Sequence, residues 1–137
     1  NVNIKWPNDL LFDGQKLAGI LPKLFFRGGK LRLLRVGVGL NVFNNVPKEG
    51  ISLKQIIGDK KLNINYWSSE VLLAIENSLD FLDDRNFLCS QVEERLWSRK
   101  YIDKETGYQW DIKGIDSSGR LILFKEDKEK VLSSLRD

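Results

Sequence analysis

Short apolar runs separated by turn-forming residues make up residues 2–40, and this pattern limits the possible folds more than any other feature. Residues 2–6 and 9–12 flank a Trp-Pro-Asn-Asp turn, and Asp13-Gly14 precedes the run Lys16–Leu21. Asp-Gly pairs between apolar runs are typical of tight β-hairpins. The pattern therefore predicts antiparallel strands in this part of the chain.

A second turn, Arg27-Gly28-Gly29-Lys30, precedes the run Leu31–Leu40. Its leucines and valines indicate a long strand that is buried on both faces, so we expect it to be central in its sheet. Pro22 has no backbone N–H group, and the strand that contains Lys16–Leu21 is therefore expected to end there or to lie at an edge.

The rest of the chain mixes helices with short strands. Ser52 is expected to cap a short helix through Ile57 that stops at Gly58. Apolar residues spaced by three and four predict a helix over Ser68–Leu82 and another over Phe87–Tyr101. Beyond residue 107, short runs separated by turns such as Asp116–Gly119 predict a small SH3-like β barrel. The predicted class is α/β (α+β).

Composition limits the chemistry. The chain has no histidine, which excludes Ser/His/Asp and Cys/His catalysis and most zinc sites. Its single cysteine, Cys89, is expected to be structural. The net charge of +3 is spread along the chain and indicates no nucleic-acid-binding tail. No apolar run reaches the roughly 18 residues of a membrane helix and no secretion signal is visible, so a cytoplasmic location is expected.

Two neighbouring segments are candidates for a functional site. Lys5-Trp6-Pro7-Asn8-Asp9 compresses a lysine, an amide and a carboxylate around a proline turn, which alone is best interpreted as an ordinary surface turn. The hairpin at Asp13-Gly14 would bring Lys16 near this turn. Lys16 would there stabilise negative charge, or it is a solvated charge that protects a sheet edge.

A third segment, Val36–Asn41, places Gly37 and Gly39 at alternate positions of a strand. One strand face therefore lacks side chains twice, which indicates either the close approach of a ligand or tight internal packing, with equal weight. The segment is not a dinucleotide-binding motif, because Asn41 opens a loop and not a helix.

The three segments together resemble the biotin protein ligase family, which spells KWPND, KLAGIL and a GxGxN element in this order. Here they are Lys5–Asp9, Lys16–Leu21 and Gly37–Asn41. The resemblance implies the C-terminal part of a class II synthetase-like catalytic domain over residues 1–84, with a mixed or antiparallel sheet. A connecting helix over residues 85–98 and an SH3-like C-terminal domain over residues 99–137 would follow.

The resemblance also implies a reaction. ATP activates biotin to biotinyl-AMP with the help of Mg²⁺, and a lysine of a biotin carboxyl carrier domain then takes the biotin. Lys16 and Asp9 match the catalytic positions, and Asp9 is also the metal candidate. Residues 42–51 would form a loop over the adenylate. The positions that match biotin or nucleotide contacts are Lys5, Asn8, Gly19, Ile20, Leu21, Gly37, Gly39 and Asn41.

The sequence departs from the family pattern in two ways. The Gly-Arg-Gly-Arg loop that grips biotin and phosphate is absent from these residues, so this segment alone is expected to be inactive. Lys23 stands where the family usually has an acidic residue, next to Pro22. Two other interpretations remain open, a lipoate-type acyl ligase and a non-catalytic binding or assembly module, and a homodimer is also left open.

Overall fold

The computed structural model describes residues 1–59 and 62–133. The chain forms two compact units. The first contains Asn1–Asn3 and Asn8–Leu62, and the second contains Ile4–Pro7 together with the chain from Asn63 onward. This division differs from the expected domains at 1–84, 85–98 and 99–137, which remain a prediction.

The first sheet has four strands in the order β1-β2-β3-β4. β2 pairs with β3, and β3 with β4, in antiparallel register, as the turn signals predict. Asp13 and Gly14 have φ angles of 45° and 82°, and Gly28 and Gly29 have 58° and 72°. The strands are β1 (Val2–Lys5), β2 (Asp9–Phe12), β3 (Gln15–Arg27) and β4 (Lys30–Leu40).

The prediction of a central, buried β4 is wrong. β4 is the last strand of the sheet, and Leu31 and Leu33 are 52% and 51% exposed. Leucines follow one another along β4, so they point alternately to the two faces of a two-stranded ribbon, and neither face is covered within the described residues. β3 does not end at Pro22, which pairs with Val36, but pairing of β3 with β2 extends only to Gly19. Pro22 thus lies at an edge, as expected.

The core of the first unit lies where β2 and β3 meet the chain after β4. Its buried apolar side chains come from β2, β3, the start of the loop after β4 and a short helix, α1 (Leu53–Ile57), that begins and ends as predicted. The Ser52 N–H and hydroxyl groups both donate to Gln55 Oε1, at 2.9 and 3.0 Å, which fixes the first turn. The core residues are Leu11, Leu17, Ala18, Val42 and Leu53.

Two helices open the second unit, α2 (Ile64–Leu79) and α3 (Arg85–Glu94). The predicted start at Ser68 is wrong, because the Asn63 side chain already caps α2 by accepting from the N–H groups of Asn65 and Tyr66. α3 does not reach residue 98 or Tyr101, since the chain leaves the helix to form the next strand. Among the described residues, no helix is long and apolar enough to cross a membrane.

The second sheet is an antiparallel meander in the order β5-β6-β7-β8. Its buried centre consists of Leu121, Leu123 and Leu132. The predicted SH3-like barrel is not closed within the described residues, because β5 and β8 remain at opposite edges. The chain as a whole is α+β. The strands are β5 (Lys100–Ile102), β6 (Gln109–Ile115), β7 (Leu121–Lys125) and β8 (Lys128–Leu132).

Candidate functional site

An ion pair between β2 and β3 is the centre of the candidate site. Lys16 Nζ lies 2.6 Å from Asp9 Oδ1, so the hairpin brings Lys16 to the end of the turn as predicted. A register shift between Leu10 and Leu11 allows the lysine to reach back towards Asp9. The Lys16 side chain is 50% exposed and that of Asp9 is 21% exposed. The ammonium is therefore held in place and remains accessible to a negatively charged ligand.

Gly19 makes room for this ion pair. A Cβ atom at Gly19 would lie 3.3 Å from Asp9 Oδ1 and 3.4 Å from Lys16 Nζ, which is tighter than most Cβ contacts. Asp9 and Gly19 are direct partners in the ladder, so Asp9 projects on the same face of the sheet as the missing Gly19 side chain. The small residue thus lets carboxylate and ammonium meet directly above the backbone.

Two further glycines extend the open surface across β4. Gly39 pairs with Gly19, and Gly37 pairs with Leu21. A Cβ atom at Gly37 or Gly39 would have its nearest neighbour at 3.6 or 3.9 Å, ordinary contact distances. Tight internal packing within the described residues therefore does not explain these glycines. We call Gly19, Gly37 and Gly39 the glycine shelf, a patch of exposed backbone beside the ion pair.

Asn8 fixes the strand that carries the shelf. Its Nδ2 group donates to the carbonyl of Ile20 at 3.0 Å, and its own carbonyl accepts from the Ile20 N–H at 2.8 Å. These bonds hold β3 directly beyond the last residue paired with β2. Leu21 follows with 71% exposure and is free to contact a ligand.

Asn41 fastens the loop after β4 to the backbone of Lys16. Its Nδ2 group lies 3.2 Å from the carbonyl oxygen of Lys16 and 3.3 Å from that of Ile51. The Lys16 N–H donates to Glu49, and the Lys16 carbonyl accepts from Ile51, at 2.8 and 2.9 Å. Both ends of the loop are thus tied to the residue whose ammonium pairs with Asp9.

Gln15 belongs to the same arrangement, although it is not among the residues predicted for the site. Its Nε2 group donates to the carbonyl oxygens of Lys48 and Gly50 at 3.3 and 3.4 Å. A glutamine at the start of a strand has no distinctive pattern, so only the folded position of the loop reveals this role.

Residues of this loop and of α1 line an open cavity of about 360 Å³. That volume lies at the lower end of the range typical of small-molecule sites. The capped start of α1 contributes to the lining, and the Lys54 ammonium in it pairs with Asp59 at 3.3 Å. The lining residues are Phe43, Asn44, Asn45, Val46, Ser52, Lys54 and Gln55.

Two predicted roles are not built into this arrangement. Lys5 is an exposed residue at the end of β1 and belongs to the second compact unit. Asp9 is the metal candidate, but the described residues contain no group of three or more side chains that could hold a metal ion. Both roles remain predictions.

Comparisons with known proteins bear on this fold and site. Residues 1–41 match the Biotin/lipoate A/B protein ligase family. Biotin--protein ligase 2 of Arabidopsis thaliana is 33% identical over 144 residues, which cover 93% of this chain and 42% of the relative. The biotin protein ligase of Aquifex aeolicus has the same fold, with a TM-score of 0.79 at 22% identity over 97% of this chain and 63% of that one. Its complex with biotin and ATP matches with a TM-score of 0.71 at 23% identity, over 97% and 59%.

The chain is therefore similar to the biotin/lipoate ligase family over residues 1–41 and to biotin protein ligases over nearly its whole length. Within that family its curated relatives are biotin protein ligases, which confirms the resemblance read from KWPND, KLAGIL and GVGLN. The chain spans only 42% and 38% of the length of the two Arabidopsis relatives.

Proposed function

We propose that the protein to which this chain belongs is an ATP-dependent biotin protein ligase. It forms biotinyl-AMP and transfers the biotin to a lysine of a biotin carboxyl carrier domain. The observation that carries the proposal is the Asp9–Lys16 ion pair beside the glycine shelf, because an accessible ammonium next to open backbone suits an anionic ligand. The curated relatives over nearly the whole chain support the choice of biotin.

Lys16 is assigned the central role in adenylate formation. A biotin carboxylate oxygen attacks the α-phosphorus of ATP, and the bond to pyrophosphate breaks. Negative charge gathers on the α-phosphate oxygens in the transition state, where the Lys16 ammonium stabilises it. Asp9 keeps this ammonium oriented from the other side through the 2.6 Å contact.

The glycine shelf is assigned to biotin. The backbone of Gly19, Gly37 and Gly39 leaves space for a ring system to lie close to the sheet, and the exposed Leu21 offers apolar contact on the same face. Ile20 lies on the opposite face of β3 and is retained as a biotin contact on the strength of its place in KLAGIL. Asn8 positions Ile20 through its two hydrogen bonds and so acts on this surface indirectly.

Residues 42–51 are assigned to the adenylate. The loop has a cavity of about 360 Å³, and Asn41 ties its ends to Lys16. A loop over the mixed anhydride would exclude water and protect it from hydrolysis. Asn41 thereby positions the loop, in addition to any hydrogen bond that it makes to the nucleotide.

Mg²⁺ fits this site only as an ion held mainly by phosphate oxygens. When bound it would neutralise charge on the phosphates of ATP, and Mg²⁺ commonly uses just one or two protein carboxylates in such sites. Asp9 offers Oδ2, because its Oδ1 atom already contacts Lys16. Lys5 is retained as a nucleotide contact on the strength of its place in KWPND.

The test is biotin-dependent exchange between ATP and pyrophosphate in the full-length protein and its Lys16→Ala variant. We expect the variant to lose about 100-fold or more in exchange rate, as after removal of one preorganised electrostatic contact. Lys100→Ala, which removes an exposed lysine from β5, is the matched control and should exchange at the normal rate. Exchange in Lys16→Ala that equals the control would refute the role of Lys16.

A lipoate-type acyl ligase is the second candidate, because the matching family includes lipoate ligases. Competition between biotin and lipoate in the same exchange assay distinguishes the two. A full-length protein that binds neither acid nor ATP in calorimetry would instead be a binding or assembly module.

The expected compartment of the full-length protein is the cytoplasm.

A further inference from the structure

The outer half of the β3–β4 ribbon has two chemically different faces. Lys23, Phe25 and Arg27 lie on one face because they alternate along β3. Their pairing partners on β4, Arg35, Leu33 and Lys30, lie on the same face, so all six residues share it. We call them the basic face. The opposite face is apolar and consists of Pro22, Leu24, Phe26, Leu31, Leu34 and Val36.

The basic face carries uncompensated charge. Between Leu17 and Pro47 the sequence has five basic residues and no acidic one. None of the five makes an ion pair within the described residues, and all are exposed. Lys23 and Arg35 lie directly opposite each other, an arrangement that like charges normally avoid. Four of the five lie on the basic face, namely Lys23, Arg27, Lys30 and Arg35, and the fifth, Arg32, stands at the register shift of β4 without a pairing partner on β3.

The basic face continues the surface of the candidate site. Residues 19, 21 and 23 of β3 alternate with residues that point the other way, so Lys23 lies on the face that carries the glycine shelf. Lys23 lies four positions beyond Gly19 on β3, a distance of roughly 13 Å. A protein that presents a lysine to the shelf would therefore pass over, or rest upon, the basic face.

We propose that the basic face is the docking surface for a carboxylate-rich patch on the protein that supplies the acceptor lysine. This rests on the proposed function and adds the chemistry of the partner surface. Charge complementarity at the rim of a site steers the partner and fixes its orientation, and it is weakened by salt. The acceptor lysine would then reach the adenylate beside Lys16 while acidic side chains pair with Arg27, Lys30 and Arg35.

Two other occupants fit less well. Binding of single-stranded nucleic acid relies on aromatic rings that stack with bases, but the Phe25 ring already has Lys23 Nζ at 5.3 Å and Arg35 Cζ at 5.5 Å from its centroid. A second copy of the chain in an isologous contact would place basic face against basic face, where like charges repel.

The test uses the full-length enzyme and a purified biotin carboxyl carrier domain with acidic surface residues. The Arg27→Glu/Lys30→Glu/Arg35→Glu variant is compared with a control of equal charge change, Lys100→Glu/Lys104→Glu/Lys128→Glu, whose lysines are exposed on the second unit. At low salt we expect the KM for the carrier to rise about tenfold or more in the first variant only. The kcat for transfer and the biotin-dependent exchange should change little, and the difference in KM should shrink as salt is added.

The outcomes separate the docking surface from the activity. We call Arg27→Glu/Lys30→Glu/Arg35→Glu the ribbon variant. Absence of exchange in the unaltered enzyme would refute the proposed function. Normal exchange with an unchanged KM for the carrier in the ribbon variant would refute only the docking surface. A milder variant, Arg27→Gln/Lys30→Gln/Arg35→Gln, guards against misfolding. If it loses exchange and transfer in parallel, the face serves adenylate formation and the docking surface is refuted.

Two further measurements address the other occupants. Neutralising carboxylates on the carrier, by Asp→Asn and Glu→Gln changes, should raise its KM for the unaltered enzyme and have little effect on the ribbon variant. If the ribbon variant instead loses binding of single-stranded DNA, or loses self-association in sedimentation, while its carrier KM stays normal, the basic face belongs to that other partner.

Discussion

One contact in the second unit is close enough to be tested by a single added methyl group. Glu93 in the last turn of α3 accepts a hydrogen bond through Oε2 from the N–H of Ile115, at 3.1 Å. A Cβ atom at Gly114 would lie 2.8 Å from that oxygen and 3.2 Å from Glu93 Cδ. Gly114→Ala therefore expels the carboxylate and breaks its bond to β6. It also disturbs the weaker pair between Glu93 and Arg99, at 3.6 Å.

The expected magnitude follows from two opposing effects. A hydrogen bond to a charged group contributes about 1.5–3 kcal/mol, and we take about 1.5 kcal/mol because the Glu93 side chain is 35% exposed. Replacing glycine by alanine within a strand regains roughly 0.5–1 kcal/mol. Gly114→Ala should thus destabilise the protein by about 0.5–1 kcal/mol. In a Glu93→Ala background, where no carboxylate is displaced, the same change should stabilise it by about 0.5–1 kcal/mol.

The assay is a double-mutant cycle on the full-length protein. Urea unfolding followed by tryptophan fluorescence gives the free energy of unfolding of the four proteins, and hydrogen exchange at the Ile115 N–H reports the broken bond directly. The decisive result is the change of sign between the two backgrounds. If Gly114→Ala has the same sign and size in both, the contact with Glu93 does not determine its effect and the reasoning is wrong.

Three further predictions address other contacts. The Lys130 ammonium, 3.0 Å from Asp103, and the Thr106 N–H lower the pKa of Asp103 from 3.8 to about 2, so the stabilisation is complete above about pH 4 and disappears as the pH falls through about 2. Asp103→Asn should therefore flatten the fall of Tm between pH 4 and 2, and an unchanged acid profile would contradict this. Asn63→Ala should lower the free energy of unfolding by about 1 kcal/mol, with Asn63→Asp close to the wild type, because the side chain caps α2; equal losses in urea unfolding would argue against capping. Gly19→Ala should mainly lower the kcat of exchange, because the added Cβ would press on the Asp9–Lys16 ion pair. Gly39→Ala, whose added Cβ would have its nearest neighbour at 3.9 Å, should mainly raise the KM for biotin. Identical kinetics of the two variants would count against the assigned roles.

The sequence was informative where the decisive interactions are local. Asp13-Gly14 adopts the positive φ angles that a two-residue hairpin needs, and the Ser52–Gln55 spacing correctly marks the start of α1. The hairpin also allowed the meeting of Lys16 with the Asp9 end of the turn to be anticipated. Each of these features depends on residues a few positions apart.

The errors concern choices that the local sequence does not make. The apolar sequence Leu31–Leu40 is compatible both with a strand in a covered sheet and with a strand in an exposed ribbon, because the difference depends on what packs against the strand. Both Asn63 and Ser68 are good helix caps, and the spacing of the apolar residues does not show that the helix already begins after Asn63. Closure of a barrel likewise depends on pairing between its first and last strands.

The attachment of the loop after β4 to Lys16 cannot be predicted from any pattern of side chains. The loop after β4 is fastened through backbone groups of Lys16, and every residue has such groups. The amides of Gln15 and Asn41 complete the attachment; Asn41 was predicted only as a ligand contact, and a glutamine at the position of Gln15 is not distinctive. The charge of Lys16 is visible in the sequence, whereas the role of its main-chain groups is visible only in the folded structure.

The double use of Lys16 constrains how such a protein can change. Its side chain is oriented by Asp9, while its N–H and carbonyl groups hold Glu49 and Ile51 at the far end of the loop. A substitution that resets the loop is transmitted to the Lys16 peptide groups and, through one flexible side chain, to the position of the ammonium. Under the proposed function, loop composition and reaction rate are therefore not independent traits. Altering the loop to admit a different nucleotide or acid would require compensating changes around Asp9.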